Sequence, residues 1–101
     1  MSVGAGGVGT IVGTASVESD EIVRIHSLFV MADDGGADVA LVESDGDLIG
    51  GTYYCGSYGG VVLPYNPGGW FEASTSGEGI YGTSLGGVKV TIEGNYSIIG
   101  E

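Results

Sequence analysis

Apolar and polar positions along this chain follow a period of two, the signature of strands, and no window sustains the 3.6-residue period of a helix. Residues 22–31 carry two readable faces: Val23, Ile25, Ser27, Phe29 and Met31 on one, Ile22, Arg24, His26, Leu28 and Val30 on the other. With one face nearly all apolar and the other half apolar, this strand belongs in the middle of a sheet. A polar turn follows, then a strand over 38–43 and a hairpin turn at Asp45 and Gly46. Short strands broken by glycine are expected at 48–49, 52–55 and 60–64. The last strand, 88–98, alternates strictly, with Val88, Val90, Ile92, Tyr96 and Ile98 on one face and Lys89, Thr91, Glu93, Asn95 and Ser97 on the other. Short strands with turn signals every 8–12 residues predict an all-β, antiparallel sandwich of jelly-roll-like form.

Two segments stand out from this pattern. Residues 1–18 are small, Gly-rich and uncharged until Glu18, which predicts a flexible N-terminal arm ahead of a β-sandwich domain over 19–101. Within the arm, Val8, Ile11 and Val12 are candidates for docking on a sheet edge. The second segment is 63–71, which packs both prolines and the only tryptophan around a tight turn. Pro67 fixes φ for the first central position, and Gly68 is expected to take the positive φ of a type II turn. This corner is expected to carry the chain between sheets, with Trp70 and Phe71 filling the core or a subunit seam. Tyr65, Pro67, Trp70 and Phe71 are therefore the candidate anchor residues.

Composition narrows the function. The chain has 101 residues and 22 glycines, where an average protein of this length has about seven. Glycine loses more backbone entropy on folding than any other residue, so oligomerisation is an expected source of stability. Thirteen carboxylates face two fixed cations, Arg24 and Lys89, for a net charge of −11. Phosphate recognition needs several Lys or Arg side chains, so nucleic acid and anionic membrane surfaces are not expected partners. No segment has the roughly 20 apolar residues of a membrane-spanning helix, and no cationic leader is apparent, which predicts a soluble, unexported chain.

Candidate chemistry is sparse. The spacing Gly4-Ala5-Gly6-Gly7-Val8-Gly9 matches a dinucleotide fingerprint, but no strand precedes it and no helix pattern follows, so no cofactor is expected. Asp33, Asp34, Asp38, Glu43, Asp45 and Asp47 flank two turns that could lie close together. Their expected role is solvation, with a shared cation site as the lesser reading; no resident metal is expected. Cys55 reads as a small buried hydrophobe. His26 has no nucleophile at any motif spacing and reads as a packed or interface histidine. No catalytic constellation emerges, and the chain is not expected to be an enzyme.

The order of segments carries a resemblance. A strand at 22–31 is followed by Val62-Leu63-Pro64-Tyr65-Asn66-Pro67-Gly68-Gly69-Trp70-Phe71, a Ser/Gly/Glu segment at 74–81, and a terminal strand with glycine and tyrosine at Gly94 and Tyr96. Over about residues 20–98 this resembles small β-sandwich virion proteins of tailed bacteriophages. The resemblance implies a capsid decoration (cement) protein on the outer capsid surface, bound to the major capsid protein and forming a homo-oligomer, with a trimer favoured. Tail or head–tail connector placement is the rival within that class. A carbohydrate-binding sandwich using Trp70 and Tyr65 as stacking platforms is the alternative outside it.

Overall fold

The computed structural model describes residues 1–85 and 88–100, and among these the chain forms nine strands and no α-helix. They are β1 (Ser2–Val3), β2 (Val8–Val12), β3 (Glu21–Ala32), β4 (Ala37–Glu43), β5 (Leu48–Cys55), β6 (Gly60–Leu63), β7 (Phe71–Glu72), β8 (Ile80–Leu85) and β9 (Val90–Gly100), with one 3-10 turn at Thr14–Ser16. Two antiparallel sheets result. The first runs β1-β9-β3-β6, with β7 also on β3, and the second runs β2-β8-β4-β5. The pairing is nested, β1 with β9, β2 with β8, β3 with β6 and β7, and β4 with β5. A long hairpin rolled up in this way is a jelly roll, as the strand pattern predicts.

The core lies between the sheets. Val23, Ile25, Leu28 and Val30 of β3 and Val90 and Ile92 of β9 meet Val39 and Leu41 of β4 and Ile80 of β8, all buried. As predicted, β3 is central, with β9 on one side and β6 and β7 on the other. Its two faces do not run straight through. His26 is an extra residue between the pairs Ile25–Tyr96 and Ser27–Asn95. A bulge of one residue reverses every side chain beyond it. Val23 and Ile25 therefore point inward before the bulge and Leu28, Val30 and Ala32 after it, while Phe29 and Met31 turn out to solvent.

Two further bulges do similar work. Ile11 is the extra residue in β2, which leaves Val8 exposed and Val12 buried although the two share one alternating face in the sequence. In β5, Gly50 and Gly51 fall between the pairs Ala40–Thr52 and Leu41–Ile49 and take φ of +73° and +91°. They join the two short segments expected there into one strand. A Cβ on Gly50 would stand 2.6 Å from the Phe71 ring, so this bulge also makes room for Phe71.

Two expectations are corrected here. Residues 1–18 do not stand apart as an arm: β1 extends the first sheet, β2 edges the second, and Val3, Val12 and Val17 are buried. Covering the open edges of both sheets is what orders so Gly-rich a segment. The 63–71 corner does not cross between sheets, because β6 and β7 both pair with β3. It spans the His26 bulge on one sheet edge. Within it, Gly69 rather than Gly68 takes the positive φ (+84°), directly after a turn closed by Gly69 N–H to the Asn66 carbonyl at 2.9 Å. A Cβ on Gly69 would collide with the Arg24 side chain, so the corner lies tightly on β3.

Two weak acids of β5 link this packing to pH. Cys55 is buried, as expected, and burial pushes its thiol pKa up, with the Asp38 carboxylate adding to the effect. Burial likewise raises the Tyr53 phenol, whose hydroxyl has no hydrogen-bond partner. Both groups favour their neutral form when folded, so the stability they contribute is complete below the ordinary values of 9.0 and 10.0 and is lost as pH rises through the raised ones. The urea midpoint is therefore expected to fall from about pH 9 upward. Tyr53→Phe is expected to be neutral or stabilising at pH 7, since it removes an unpaired buried hydroxyl, and to make the alkaline fall shallower. Urea titrations of both proteins at pH 7 and 10 check this.

Candidate functional site

The bulge at His26 organises one face of the molecule. By lifting the chain, it presents the carbonyls of Ile25 and His26 to the corner, where they accept from Trp70 N–H at 2.7 Å and Asn66 N–H at 2.8 Å. The His26 side chain finishes the attachment. Its Nδ1 lies 2.9 Å from the Asn66 carbonyl and its Nε2 lies 2.7 Å from the Ser97 hydroxyl. A carbonyl only accepts, so Nδ1 carries a proton, and in the neutral imidazole Nε2 accepts from Ser97. Tyr65 stacks on the imidazole with ring centroids 5.6 Å apart. His26 is thus a packed histidine, as expected, held between the Asn66 carbonyl, the Ser97 hydroxyl and the Tyr65 ring.

The anchor candidates of the corner divide. Pro67 is exposed, and Tyr65 is 63% exposed beyond its contact with His26. Trp70 does not fill the core: it is 41% exposed, and its indole N–H donates to the Pro64 carbonyl at 2.7 Å. That bond ties the indole to the start of the corner and satisfies its N–H at the surface. Phe71 alone of the four packs against the core. Beside the corner, Arg24 pairs with Glu72 at 2.7 Å.

Next to this corner lies a strip not identified from the sequence. Phe29 pairs with Val62 across β3 and β6, and Met31 pairs with Gly60 beyond them. All three large side chains are exposed, Val62 at 66%, on the outer face of the first sheet. Glu93 pairs with Phe29 from β9, and beyond Met31 the ladder continues with Asp33, whose N–H donates to the Lys89 carbonyl. Tyr65 and Trp70, in the corner that follows β6, add two more large exposed side chains at this edge of the first sheet. The available sequence signal was Phe29 and Met31 on an alternating face, which straight alternation assigned to the same side as Val23 and Ile25.

Val8, Ile11 and Val12 lie at the opposite edge of the sandwich, because β2 edges the second sheet on the side of β1 while β6 and β7 adjoin β5. The structure does not bring the two sets of candidates together. Val8 is exposed, Val12 is core, and Ile11 lines a cleft of about 170 Å³ with Met1, Ile25, Leu28, Ile92 and Tyr96.

The carboxylates also separate. The turn holding Asp33 and Asp34 and the turn holding Asp45 and Asp47 sit at opposite ends of β4, so the two do not converge. Seven residues of extended chain, about 23 Å, hold them apart. Glu43, Asp45 and Asp47 do cluster, with carboxylate oxygens within 4.8 Å of one another. Glu43 is buried, and its two oxygens accept from the Ser74 hydroxyl at 2.6 Å and Thr75 N–H at 3.0 Å. Glu78 bonds Ser44 close by, and Glu21 accepts from Gly77 N–H through its carbonyl. With Glu18 and Asp20 in the adjoining turn, this end of the sandwich is an acidic pole whose loops hold no Lys or Arg.

No protein-family profile, curated protein or solved structure matches this chain.

Proposed function

We propose that this chain is a non-enzymatic structural protein of a tailed-phage virion, a capsid decoration protein that seats on the major capsid protein shell and strengthens it. The reading rests on the likeness of the 62–71 phrase and its flanking strands to such proteins. The single structural observation that carries it is the outward strip of Phe29, Met31 and Val62 beside Tyr65 and Trp70. Exposed apolar side chains gathered on one face of a small domain mark an interaction surface. The rigid corner holds its aromatics in place before contact, which lowers the entropy lost on docking. The acidic pole lies at one end of the same body and repels packaged DNA, which suits a position on the outside of the particle. Cyclic trimers around a capsid axis are the proposed assembly.

The test is co-sedimentation with empty shells assembled from the major capsid protein of the same genome. Wild-type chain is expected to sediment with shells at saturating, stoichiometric levels. The double variant Phe29→Asp, Met31→Asp is expected to bind about a hundredfold more weakly, since two apolar anchors at a docking surface are each worth about 1–2 kcal/mol. Its near-UV circular dichroism is expected to keep the folded signature, because both side chains lie on the outer face of the first sheet and not in the core. Wild-type affinity in a folded double variant would remove the strip from the interface.

The exposure of Trp70 and Tyr65 also favours a second reading, a carbohydrate-binding sandwich that stacks sugar rings on them. Glycan-array binding that disappears in folded Trp70→Ala would support it over the decoration role.

A further inference from the structure

The first sheet ends in a half-covered edge. β1 lies along only the start of β9: Ser2 pairs with Thr91 and Val3 with Val90. Met1 closes the ladder, its amino group donating to the Ile92 carbonyl at 3.0 Å and its carbonyl accepting from Ile92 N–H at 2.8 Å. Those two bonds fix which way each residue of β9 points. Ile92 directs its N–H and C=O away from β3, so by strand alternation Gly94, Tyr96 and Ile98 do the same. Among the described residues no strand pairs with β9 on that side beyond Ile92.

The side chains beside this edge are equally specific. Ile92, Tyr96 and Ile98 face the second sheet, and with Ile25, Leu28 and Ile11 the first two line the apolar cleft of about 170 Å³. Gly94, which lines the same cleft, interrupts that row because a Cβ there would meet the Ser27 carbonyl of β3. A strand laid against β9 would place its alternate side chains opposite Gly94, Tyr96 and Ile98, and the one opposite Gly94 would drop into the cleft.

We infer that the free edge of β9 over residues 93–100 is an acceptor site for an extended strand of a partner protein. The strand continues the line of β1, antiparallel to β9, with apolar residues at alternate positions and Lys or Arg at its N-terminal end. The basic end follows from the charges. The incoming N-terminus meets Gly100, whose partner Glu21 adjoins Glu18 and Asp20, with no cation in that turn. At the other end Glu93 already has the Met1 amino group 3.5 Å away, so the demand for positive charge there is weaker. Main-chain bonds supply the affinity of such strand addition and the pockets for alternate side chains supply selectivity. This inference goes beyond the decoration reading and does not depend on it, because the edge and the Phe29–Val62 strip are separate surfaces.

Selection from a displayed library of random nine-residue peptides against the intact chain tests it, with hydrogen exchange read by NMR. In the free chain the amides of Gly94, Tyr96 and Ile98 are expected to exchange fast while those of Glu93 and Ser97, directed at β3, are protected. Selected peptides are expected to share alternating apolar residues with an N-terminal Lys or Arg, to protect those three amides, and to weaken as salt rises. Tyr96→Pro removes an outward N–H without touching the ladder to β3, and is expected to weaken binding about tenfold or more. Ile98→Pro repeats the test at a second position should the first disturb folding. No enrichment, peptides that protect other residues, or slow exchange at all three amides in the free chain would each overturn the inference. Shells play no part in this readout, so its failure leaves the decoration reading standing, and failed co-sedimentation leaves the edge standing.

Discussion

His26→Ala is expected to lower the stability of the sandwich by about 3 kcal/mol, from two side-chain hydrogen bonds and one aromatic contact worth about 1 kcal/mol each. For a domain of this size that is a fall of about 10–20 °C in the thermal midpoint. The reason lies in how the corner is attached. The carbonyls of Ile25 and His26 hold its backbone, but the imidazole ties three elements at once: Asn66 in the corner, Ser97 on β9 and the ring of Tyr65. Alanine leaves the Asn66 carbonyl with one bond fewer and the Ser97 hydroxyl without its acceptor. Trp70, the only tryptophan, sits in the corner and reports on it directly. Its fluorescence is expected to lose its temperature transition earlier than the far-UV signal does, because the corner loosens before the sheets separate. Ser97→Ala removes only one of these contacts and is expected to cost about 1 kcal/mol. Equal effects of the two substitutions would mean that the histidine is not the hub.

Glu43→Ala is expected to be nearly as damaging, at about 3 kcal/mol by urea denaturation. Glu43 is 1% exposed at the end of β4, yet it is a carboxylate rather than a hydrocarbon. It is tolerated there because the loop after β7 brings two donors to it, the Ser74 hydroxyl and Thr75 N–H. Removing the acceptor leaves both donors without it, one of them a backbone N–H, and opens a cavity at the sandwich end. Glu43→Gln keeps the volume and one carbonyl oxygen, so it is expected to recover about half of the loss. Because Asp45 and Asp47 stand beside Glu43, the glutamine variant also loses like-charge repulsion. Its deficit is therefore expected to shrink further at low ionic strength, where that repulsion is strongest.

The strands were legible because their signal is local. Period-two alternation at 22–31, 38–43 and 88–98 and the Asp45-Gly46 turn predicted β3, β4, β9 and the β4–β5 connection to within a few residues. What stayed hidden was register. Whether His26 is paired or bulged depends on where β9 and the corner lie, and nothing in the alternation of β3 marks the slip. That one slip moves Phe29 and Met31 from the inner to the outer face, so the proposed docking strip was invisible while the strand carrying it was plain. The same holds for Ile11 and for Gly50 with Gly51. The 63–71 corner showed itself as a rigid turn through Pro67 and its glycines, but the sheet it serves is a matter of topology. Trp70 was misplaced for a related reason: its size suggested core, while the Pro64 carbonyl that satisfies its N–H lies at the surface. For the Gly-rich start, composition signalled flexibility, and only the uncovered edges of β8 and β9 explain why it is ordered.

The proposed docking surface exists because the His26 bulge turns Phe29 and Met31 outward. Hydrogen exchange by mass spectrometry on the chain bound to capsid protein shells tests it most directly, against the same chain free. New protection is expected at residues 27–31 and 60–70, with the acidic turns at 44–47 and 74–79 exchanging as they do in the free protein. Protection confined to those acidic turns, with 27–31 and 60–70 unchanged, would contradict it.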